Sequence, residues 1–202
     1  MKIGMSFILR YLTRIYLFVF LCLASSPLHA QLQFNITDGQ VAPTPIAIAN
    51  FTNEIGAVSQ VGKQLSQIIS DDLSSSGLFV PVDEAAFIAP PMTPSVRPNF
   101  ENWRPLGAKG LLVGSAAVSS IGEIQVEFVL WDVVTGKAIA SAEGRADPNG
   151  IRRIAHQIAD FVYEEFTGDS GYFDSKIVYI SESGSQSRRL KRLAIMDQDG
   201  HN

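Results

Sequence analysis

The last predicted helix carries the side-chain spacing that acid–base chemistry would use. His156, Asp160 and Glu164 follow one another at intervals of four residues, which places the three groups on one face of an α-helix. An imidazole beside a carboxylate could exchange a proton with a substrate. Because no nucleophile motif such as Gly-x-Ser-x-Gly accompanies them, we interpret these residues as a solvated helix face. The sequence therefore predicts no catalytic residue and no enzyme.

Two acidic residues near the end of the sequence could begin a calcium loop. Asp197 and Asp199 have the spacing of the first two ligands of an EF-hand, but Gly200 comes too early and no glutamate follows. Short acidic side chains also accept backbone hydrogen bonds in turns, and a glycine there can adopt a positive φ. We expect a turn at this point, with neither a metal nor a cofactor.

Two further groups of side chains have a functional and a structural interpretation. The basic cluster at residues 188–192 could contact nucleic acid, although in an acidic chain it is more typical of a solvated turn. Trp103 and Trp131 could stack on carbohydrate, but buried aromatic packing is the commoner role. We expect no nucleic-acid partner and two packed tryptophans.

The first thirty residues have the charge order of a signal peptide. Lys2, Arg10 and Arg14 precede an apolar run of about ten residues, which is too short to span a bilayer. Leu28-His29-Ala30 resembles a cleavage site, so we predict a signal peptide at residues 1–30 and a mature protein that begins at Gln31. The alternative is an uncleaved membrane anchor. Cleavage would place the protein in the periplasm, where it meets the membrane only indirectly.

Removal of this segment changes both the charge and the cysteine content. The remaining residues include 13 basic and 20 acidic side chains, a net charge of −7, which disfavours nucleic acid and anionic lipid as partners. The one cysteine, Cys22, lies inside the apolar run. A mature chain without thiols has no disulfide and no cysteine ligand or nucleophile.

The first half of the mature chain reads as a strand, a helix and a second strand. The apolar run from Ile46 to Phe51 predicts a buried strand, and apolar residues at intervals of three and four predict an amphipathic helix from Val58 to Leu73. Asp71 and Asp72 fall mainly on the polar side of that helix. A second strand is predicted at residues 78–82. Five prolines between Ala89 and Pro105 permit only short regular structure, such as one turn of helix that directs Phe100 and Trp103 inward.

The second half predicts a meander followed by a helix. Three consecutive strands are expected at residues 110–118, 124–133 and 138–145, with turns between them. The helix that follows should have Asp147 as its N-cap, Pro148 at its first position and Gly168 at its end. Together these segments predict an α/β domain with a mixed sheet and two main amphipathic helices, at residues 31–168.

The pattern of residues changes after Gly168, where new apolar segments appear. We place a domain boundary near Asp169, and the apolar segments at residues 177–180 and 190–196 predict a hairpin. Two strands alone are marginally stable in water. Residues 169–202 are therefore expected to form a linker and part of a larger β structure.

The hairpin and the order of the preceding elements resemble the TolB family. Residues 176–181 (KIVYIS) and 192–202 (RLAIMDQDGHN) are similar to the opening hairpin of that family's β-propeller, with its acidic Asp-x-Asp-Gly-x-Asn turn. The resemblance extends back over the strand–helix–strand start, the strand at residues 111–114, Leu130-Trp131-Asp132 and the closing helix. It implies an α/β N-terminal domain followed by the truncated first blade of a propeller.

The resemblance also implies a function and a partner site. TolB proteins are periplasmic adaptors of the Tol-Pal system that link TolA, in the inner membrane, to the outer-membrane lipoprotein Pal. They support outer-membrane integrity and constriction during cell division, and are associated with protein and colicin import. The family's mature N-terminus engages TolA, whereas Pal binds the propeller, through blades that this sequence does not include. The implied TolA-binding residues are Gln31, Leu32, Gln33, Phe34, Asn35 and Ile36.

Two interpretations of that N-terminal segment stay open. Leu32, Phe34 and Ile36 alternate with polar residues, which predicts a strand with one apolar face. Such a strand could pair with its own sheet, or with a partner by strand addition. The rival function is a periplasmic binding module for a small ligand or a cell-wall fragment.

Overall fold

The computed structural model describes residues 42–186 and 188–201, and seven strands and two long helices lie within them. In chain order these are β1 (Thr44–Ile48), α1 (Gln60–Ser75), β2 (Phe79–Pro81), β3 (Gly110–Val118), β4 (Ile124–Asp132), β5 (Lys137–Ala146), α2 (Ile151–Thr167), β6 (Lys176–Ser183) and β7 (Leu190–Asp197). Three single turns of 3-10 helix, Glu84–Ala86, Phe100–Asn102 and Arg104–Leu106, lie between β2 and β3.

Five strands form one mixed sheet in the order β2-β1-β3-β4-β5. β1 is parallel to both β2 and β3, whereas β3, β4 and β5 form an antiparallel meander. The parallel pair requires a crossover connection, which α1 supplies. The predicted strand–helix–strand unit, the predicted meander and the mixed sheet with two main helices are confirmed.

Both long helices pack on the same face of the sheet. Along β4 the buried residues Ile124, Val126, Phe128 and Leu130 alternate with more exposed ones. Their side chains join those of α1 and α2 in one apolar cluster. The period-2 pattern in the strand and the apolar stripes on the helices therefore meet in a single layer, as the sequence predicted.

The proline-rich connection covers part of the opposite face. Phe100 and Trp103 are 7% and 2% exposed, and they pack with Leu111, Val113 and Val133 in a second apolar cluster. Trp131 is partly buried against the same cluster, and its ring centroid lies 5.7 Å from that of Phe100. The packed interpretation of Trp103 and Trp131 is confirmed.

Close contact between α1 and the end of β1 depends on two small residues. The Ser66 hydroxyl accepts a hydrogen bond from the Phe51 amide at 3.1 Å and donates toward the carbonyl oxygens of Ala49 and Gly62, at 3.0 and 2.9 Å. A Cβ atom on Gly62 would lie 1.9 Å from the Phe51 carbonyl oxygen. Glycine is therefore needed within this helix because the backbone of the neighbouring segment occupies the space.

The boundaries of α2 differ in part from the prediction. The helix begins at Ile151 with Gly150 as its N-cap, and its predicted N-cap, Asp147, instead accepts a hydrogen bond from the Gly150 amide at 2.8 Å. That turn postpones the helix by three residues, so the predicted start was wrong. Its end at Gly168, in the left-handed conformation with φ 77°, is confirmed.

The remaining two strands form a separate antiparallel hairpin, β6–β7. The predicted hairpin is thus confirmed, and the propeller blade to which it was assigned stays a prediction. Gly200, in the turn after β7, has φ 85° as expected. Among the described residues, no helix is both long enough and apolar enough to cross a bilayer.

Candidate functional site: a charged joint between the helix pair and the hairpin

The predicted TolA-binding residues lie outside the residues that the structure describes. Gln31, Leu32, Gln33, Phe34, Asn35 and Ile36 all precede residue 42. Their role stays a prediction. The buried charged groups that the structure does bring together lie elsewhere, where α1, α2 and the turn after β7 meet. We call this meeting point the charged joint.

His156 does not lie on a solvated helix face, so that interpretation was wrong. Its side chain is 2% exposed, and Asp160 is half-buried, whereas Glu164 is exposed. The helix α2 packs against α1 on one side and contacts the turn after β7 on another. Its buried surface is therefore wider than its apolar stripe.

The first contact of this joint is a buried pair between the two helices. His156 Nδ1 lies 2.6 Å from Asp72 Oδ2, and both side chains are 2% exposed. Asp72 follows Leu65 and Ile69 by seven and three residues, which places it on the buried face of α1 and not on the polar side where the sequence pattern put it. The only signal in the sequence was this helical spacing.

The second contact joins α2 to the turn after β7. Asp199 Oδ2 lies 3.9 Å from His156 Nε2 and also pairs with the Arg152 guanidinium. Asp197, which is 4% exposed, lies 3.6 Å from Arg152 Nε and pairs with Lys176 of β6. The predicted acidic turn thus directs its carboxylates toward the charged side chains of α2.

Backbone contacts in the turn hold these carboxylates in place. The Asp197 amide donates to the His201 carbonyl oxygen at 2.7 Å, and the Gly200 amide donates to the Asp197 carbonyl oxygen at 2.9 Å. The His201 amide donates to Asp199 Oδ1 at 3.2 Å. Gln198 reaches back to α1, with its side-chain nitrogen 3.4 Å from Asp72 Oδ1.

A second part of the joint ties the segment between α2 and β6 to the helix. Both carboxylate oxygens of Asp160 accept backbone hydrogen bonds, from the Phe173 amide at 2.6 Å and the Asp174 amide at 3.1 Å. Phe173 is fully buried in the main apolar cluster. Asp174 pairs with Arg153 at 3.3 Å and accepts a hydrogen bond from Gln157 at 3.0 Å. The hairpin is therefore fixed to α2 at both ends.

Burial and charge shift the pKa values of three groups in this joint. Burial raises the pKa of Asp72, which His156 only partly offsets. Burial alone would lower the pKa of His156, but the hydrogen bond and charge of Asp72, together with the charge of Asp199, raise it above 6.5. Burial alone would raise the pKa of Asp199, yet the His201 amide and Arg152 hold it below 3.8.

The joint has the ligand spacing of a metal site but not its charge balance. One ligand atom from each of Asp72, His156 and Asp199 lies within 4.8 Å of the others. The Arg152 guanidinium, however, already occupies the Asp199 carboxylate, and a divalent cation beside it would be repelled. We therefore interpret the cluster as an ion-pair network that fixes the hairpin.

Comparison with solved structures gives the fold a known counterpart. The structure matches TolB from Acinetobacter baumannii with a TM-score of 0.65 at 24% sequence identity, over 80% of this chain and 37% of that one. It also matches the LpoB C-terminal domain from Salmonella enterica, with a TM-score of 0.40 at 19% identity, over 55% of this chain and 87% of that one. A third match is a PelC dodecamer variant from Paraburkholderia phytofirmans, with a TM-score of 0.43 at 18% sequence identity, over 66% of this chain and 96% of that one.

The TolB match shows the fold, although this chain spans little more than a third of that protein's length. The family comparison is more specific, because residues 32–139 match the TolB amino-terminal domain and make up more than half of the sequence. The chain therefore belongs to the TolB amino-terminal domain family.

Proposed function

We propose that this chain is the N-terminal portion of a periplasmic adaptor of the Tol-Pal system, which links a TolA-like inner-membrane protein to the lipoprotein Pal. Membership of the TolB amino-terminal domain family is the observation that carries this proposal. The signal-peptide pattern in the first thirty residues supports the periplasmic location. An adaptor of this kind acts by binding and catalyses no reaction. Its work would support outer-membrane integrity, cell division and protein import.

The proposed TolA site is the segment from Gln31 to Ile36. Leu32, Phe34 and Ile36 would share one face of an extended strand, with the polar residues on the other. Strand addition uses main-chain hydrogen bonds for affinity and alternate side chains for specificity. This segment offers both.

The proposed Pal site lies in a propeller that begins with β6–β7, after a boundary near Asp169. The hairpin exposes large apolar side chains from both of its faces, since Val178 and Ile195 on one face are 58% and 57% exposed and Ile177 and Tyr179 on the other are 41% and 42% exposed. Apolar residues on both faces of a two-stranded sheet favour further strands and neighbouring blades as cover. Contacts with Pal would involve those blades.

Titration of the exported protein with the C-terminal domain of TolA tests the N-terminal site. Phe34→Asp should reduce affinity by about 2 kcal/mol or more, roughly 30-fold, because a charge would replace a buried anchor. Asn35→Asp is the matched control, since it introduces the same charge on the alternate face, and its affinity should fall much less.

Three results would contradict the proposal. Undiminished TolA binding by the Phe34→Asp variant would remove the site from residues 31–36. Equal losses in the Phe34→Asp and Asn35→Asp variants would show that charge, and not an apolar face, governs the contact. Calorimetry against cell-wall fragments separates the rival function, because tight binding of a fragment without any binding of TolA would replace the adaptor with a ligand-binding module.

A further inference from the structure

We propose that His156 is a proton-dependent link between the helix pair and the hairpin: its imidazolium form joins Asp72 of α1 to Asp199 of the turn after β7, and loss of the proton weakens the attachment of that turn. This inference does not depend on the proposed partners. It concerns how firmly the hairpin, and whatever β structure continues from it, is held by the α/β domain.

The positions of the two neighbouring carboxylates favour a donor on each ring nitrogen of His156. Nδ1 lies 2.6 Å from an oxygen of Asp72, and Nε2 lies 3.9 Å from an oxygen of Asp199. A neutral imidazole has one N–H group and one lone pair. If Nδ1 carries the hydrogen, the lone pair of Nε2 faces the Asp199 carboxylate; if Nε2 carries it, a lone pair faces Asp72 at hydrogen-bond distance. Only the imidazolium form directs an N–H group at each carboxylate.

Burial strengthens the preference for a donor on each ring nitrogen. Nε2 is enclosed and has no hydrogen-bond partner within the described part of the chain, so Asp199, at 3.9 Å, is the acceptor toward which it could move. A buried imidazole nitrogen without a partner is costly. A small approach of the turn would convert the 3.9 Å ion pair into a hydrogen bond, and only imidazolium can donate this bond while it also donates from Nδ1 to Asp72.

The charges of the described groups favour the same state. Asp72, Asp197 and Asp199 contribute three negative charges, and Arg152 and Lys176 contribute two positive ones. A neutral His156 leaves this group with a net charge of −1, whereas imidazolium brings it to neutrality. A divalent cation in place of the proton would leave a net charge of +1.

Other titratable groups near the joint are already engaged. Asp160 and Asp174 accept hydrogen bonds from the segment before β6 and from the side chains of α2. His201 Nδ1 lies 3.4 Å from Asp199 Oδ1, but its side chain is 65% exposed. His201 therefore lies mostly in solvent and makes a suitable control for His156.

The direction of the pH dependence follows from the pKa shifts. The raised pKa of His156 gives stability that is complete below 6.5, the value in an unfolded chain, and lost as the pH rises through the folded pKa. The lowered pKa of Asp199 gives stability that is present above 3.8 and lost as the pH falls through its folded value. The raised pKa of Asp72 costs stability above 3.8. The turn should thus dock most firmly above pH 3.8 and below pH 6.5, and its docking should weaken as the pH rises through the folded pKa of His156.

Nuclear magnetic resonance of the whole chain tests the proposal directly. The ring nitrogens of His156 should keep imidazolium shifts above pH 6.5. Amide exchange protection at Gln198, whose amide donates to the Ser175 carbonyl oxygen at 3.2 Å, should decrease as the ring loses its proton. The protection at Gln198 should decrease about tenfold for each unit by which the pKa of His156 in the docked state exceeds its pKa in the undocked state. Protection in β3 and β4 should stay constant.

Variants separate the link from general stability. Asp199→Asn should abolish the pH dependence at Gln198 and leave the α/β domain folded, and His156→Gln should do the same if that variant folds. His201→Gln should leave the pH dependence unchanged. A His156 pKa below 6.5 in the folded protein, or pH dependence that persists in Asp199→Asn, would overturn the proposal. Stoichiometric zinc binding that is lost in Asp199→Asn would replace it with a metal site.

Discussion

The helix–sheet layer and the charged joint are both buried, but different forces hold them together. In the layer, side chains such as Phe51, Leu65 and Leu130 are fully buried among other apolar groups, and their burial is worth about 25 cal/mol per Å² without regard to direction. In the joint, Asp72 and His156 are almost as buried, yet each must meet a partner of defined charge and geometry. Apolar packing thus holds the domain together, while directional contacts decide where the hairpin lies on it.

The largest expected effect comes from the tightest point of the layer. Gly62→Ala should lower the free energy of unfolding by about 3 kcal/mol, because the new methyl group would meet the Phe51 backbone at 1.9 Å. Helix propensity alone predicts the opposite, a gain of about 1 kcal/mol. Urea denaturation measures the difference. Lys63→Ala, at the exposed neighbouring position of the same helix, is the control and should change stability by less than about 0.5 kcal/mol.

An intermediate effect is expected where the backbone before β6 is fixed to α2. Asp160→Ala removes the acceptor of two amide hydrogen bonds, at Phe173 and Asp174, and should cost about 1–3 kcal/mol. Amide exchange should accelerate in residues 171–201 before it does so in β3 and β4. Glu164→Ala, one turn later on an exposed part of α2, is the matched control. Equal acceleration in the hairpin and the sheet would show that the two regions do not open separately.

The smallest expected effect on stability comes from a double variant that replaces the buried ion pair of the joint with apolar side chains like those of the layer. The double variant Asp72→Leu with His156→Phe replaces a buried ion pair by apolar groups, an exchange that is often neutral or stabilising. We expect a free energy of unfolding within about 1 kcal/mol of the parent and no pH dependence of exchange protection at Gln198. Thermal and urea denaturation at pH 5.5 and 8.5 provide the check. A large loss of stability would mean that charge pairing, and not shape, holds the two helices together.

The single variants sharpen that comparison. Asp72→Leu alone leaves His156 buried beside an apolar group, so it should be less stable than the double variant. With His156→Phe as the other single variant, the double-mutant cycle measures the coupling between the two side chains. An additive result would indicate that the pair contributes nothing beyond its separate contacts with Gln198 and Asp199.

Periodicity in the sequence was enough to predict most of the regular structure. The alternation in β4 and the apolar stripes on α1 and α2 indicate which side chains are buried, and any compact fold must bury those faces. The start of α2 was predicted wrongly because Asp147 and Pro148 fit a helix start, whereas the chain forms one more turn that ends at Gly150. Local capping rules do not distinguish between these two adjacent start positions.

The role of the charged residues depended on partners far away in the sequence. The sequence alone determined the α/β class, the meander, the two helices and the presence of an acidic turn with a glycine at Gly200. Only the tertiary structure decided that His156 meets Asp72, 84 residues earlier, and faces Asp199. An apolar pattern repeats along one element and can be read there, but an ion pair exists only when two elements bring opposite charges within a few ångströms and exclude water from them.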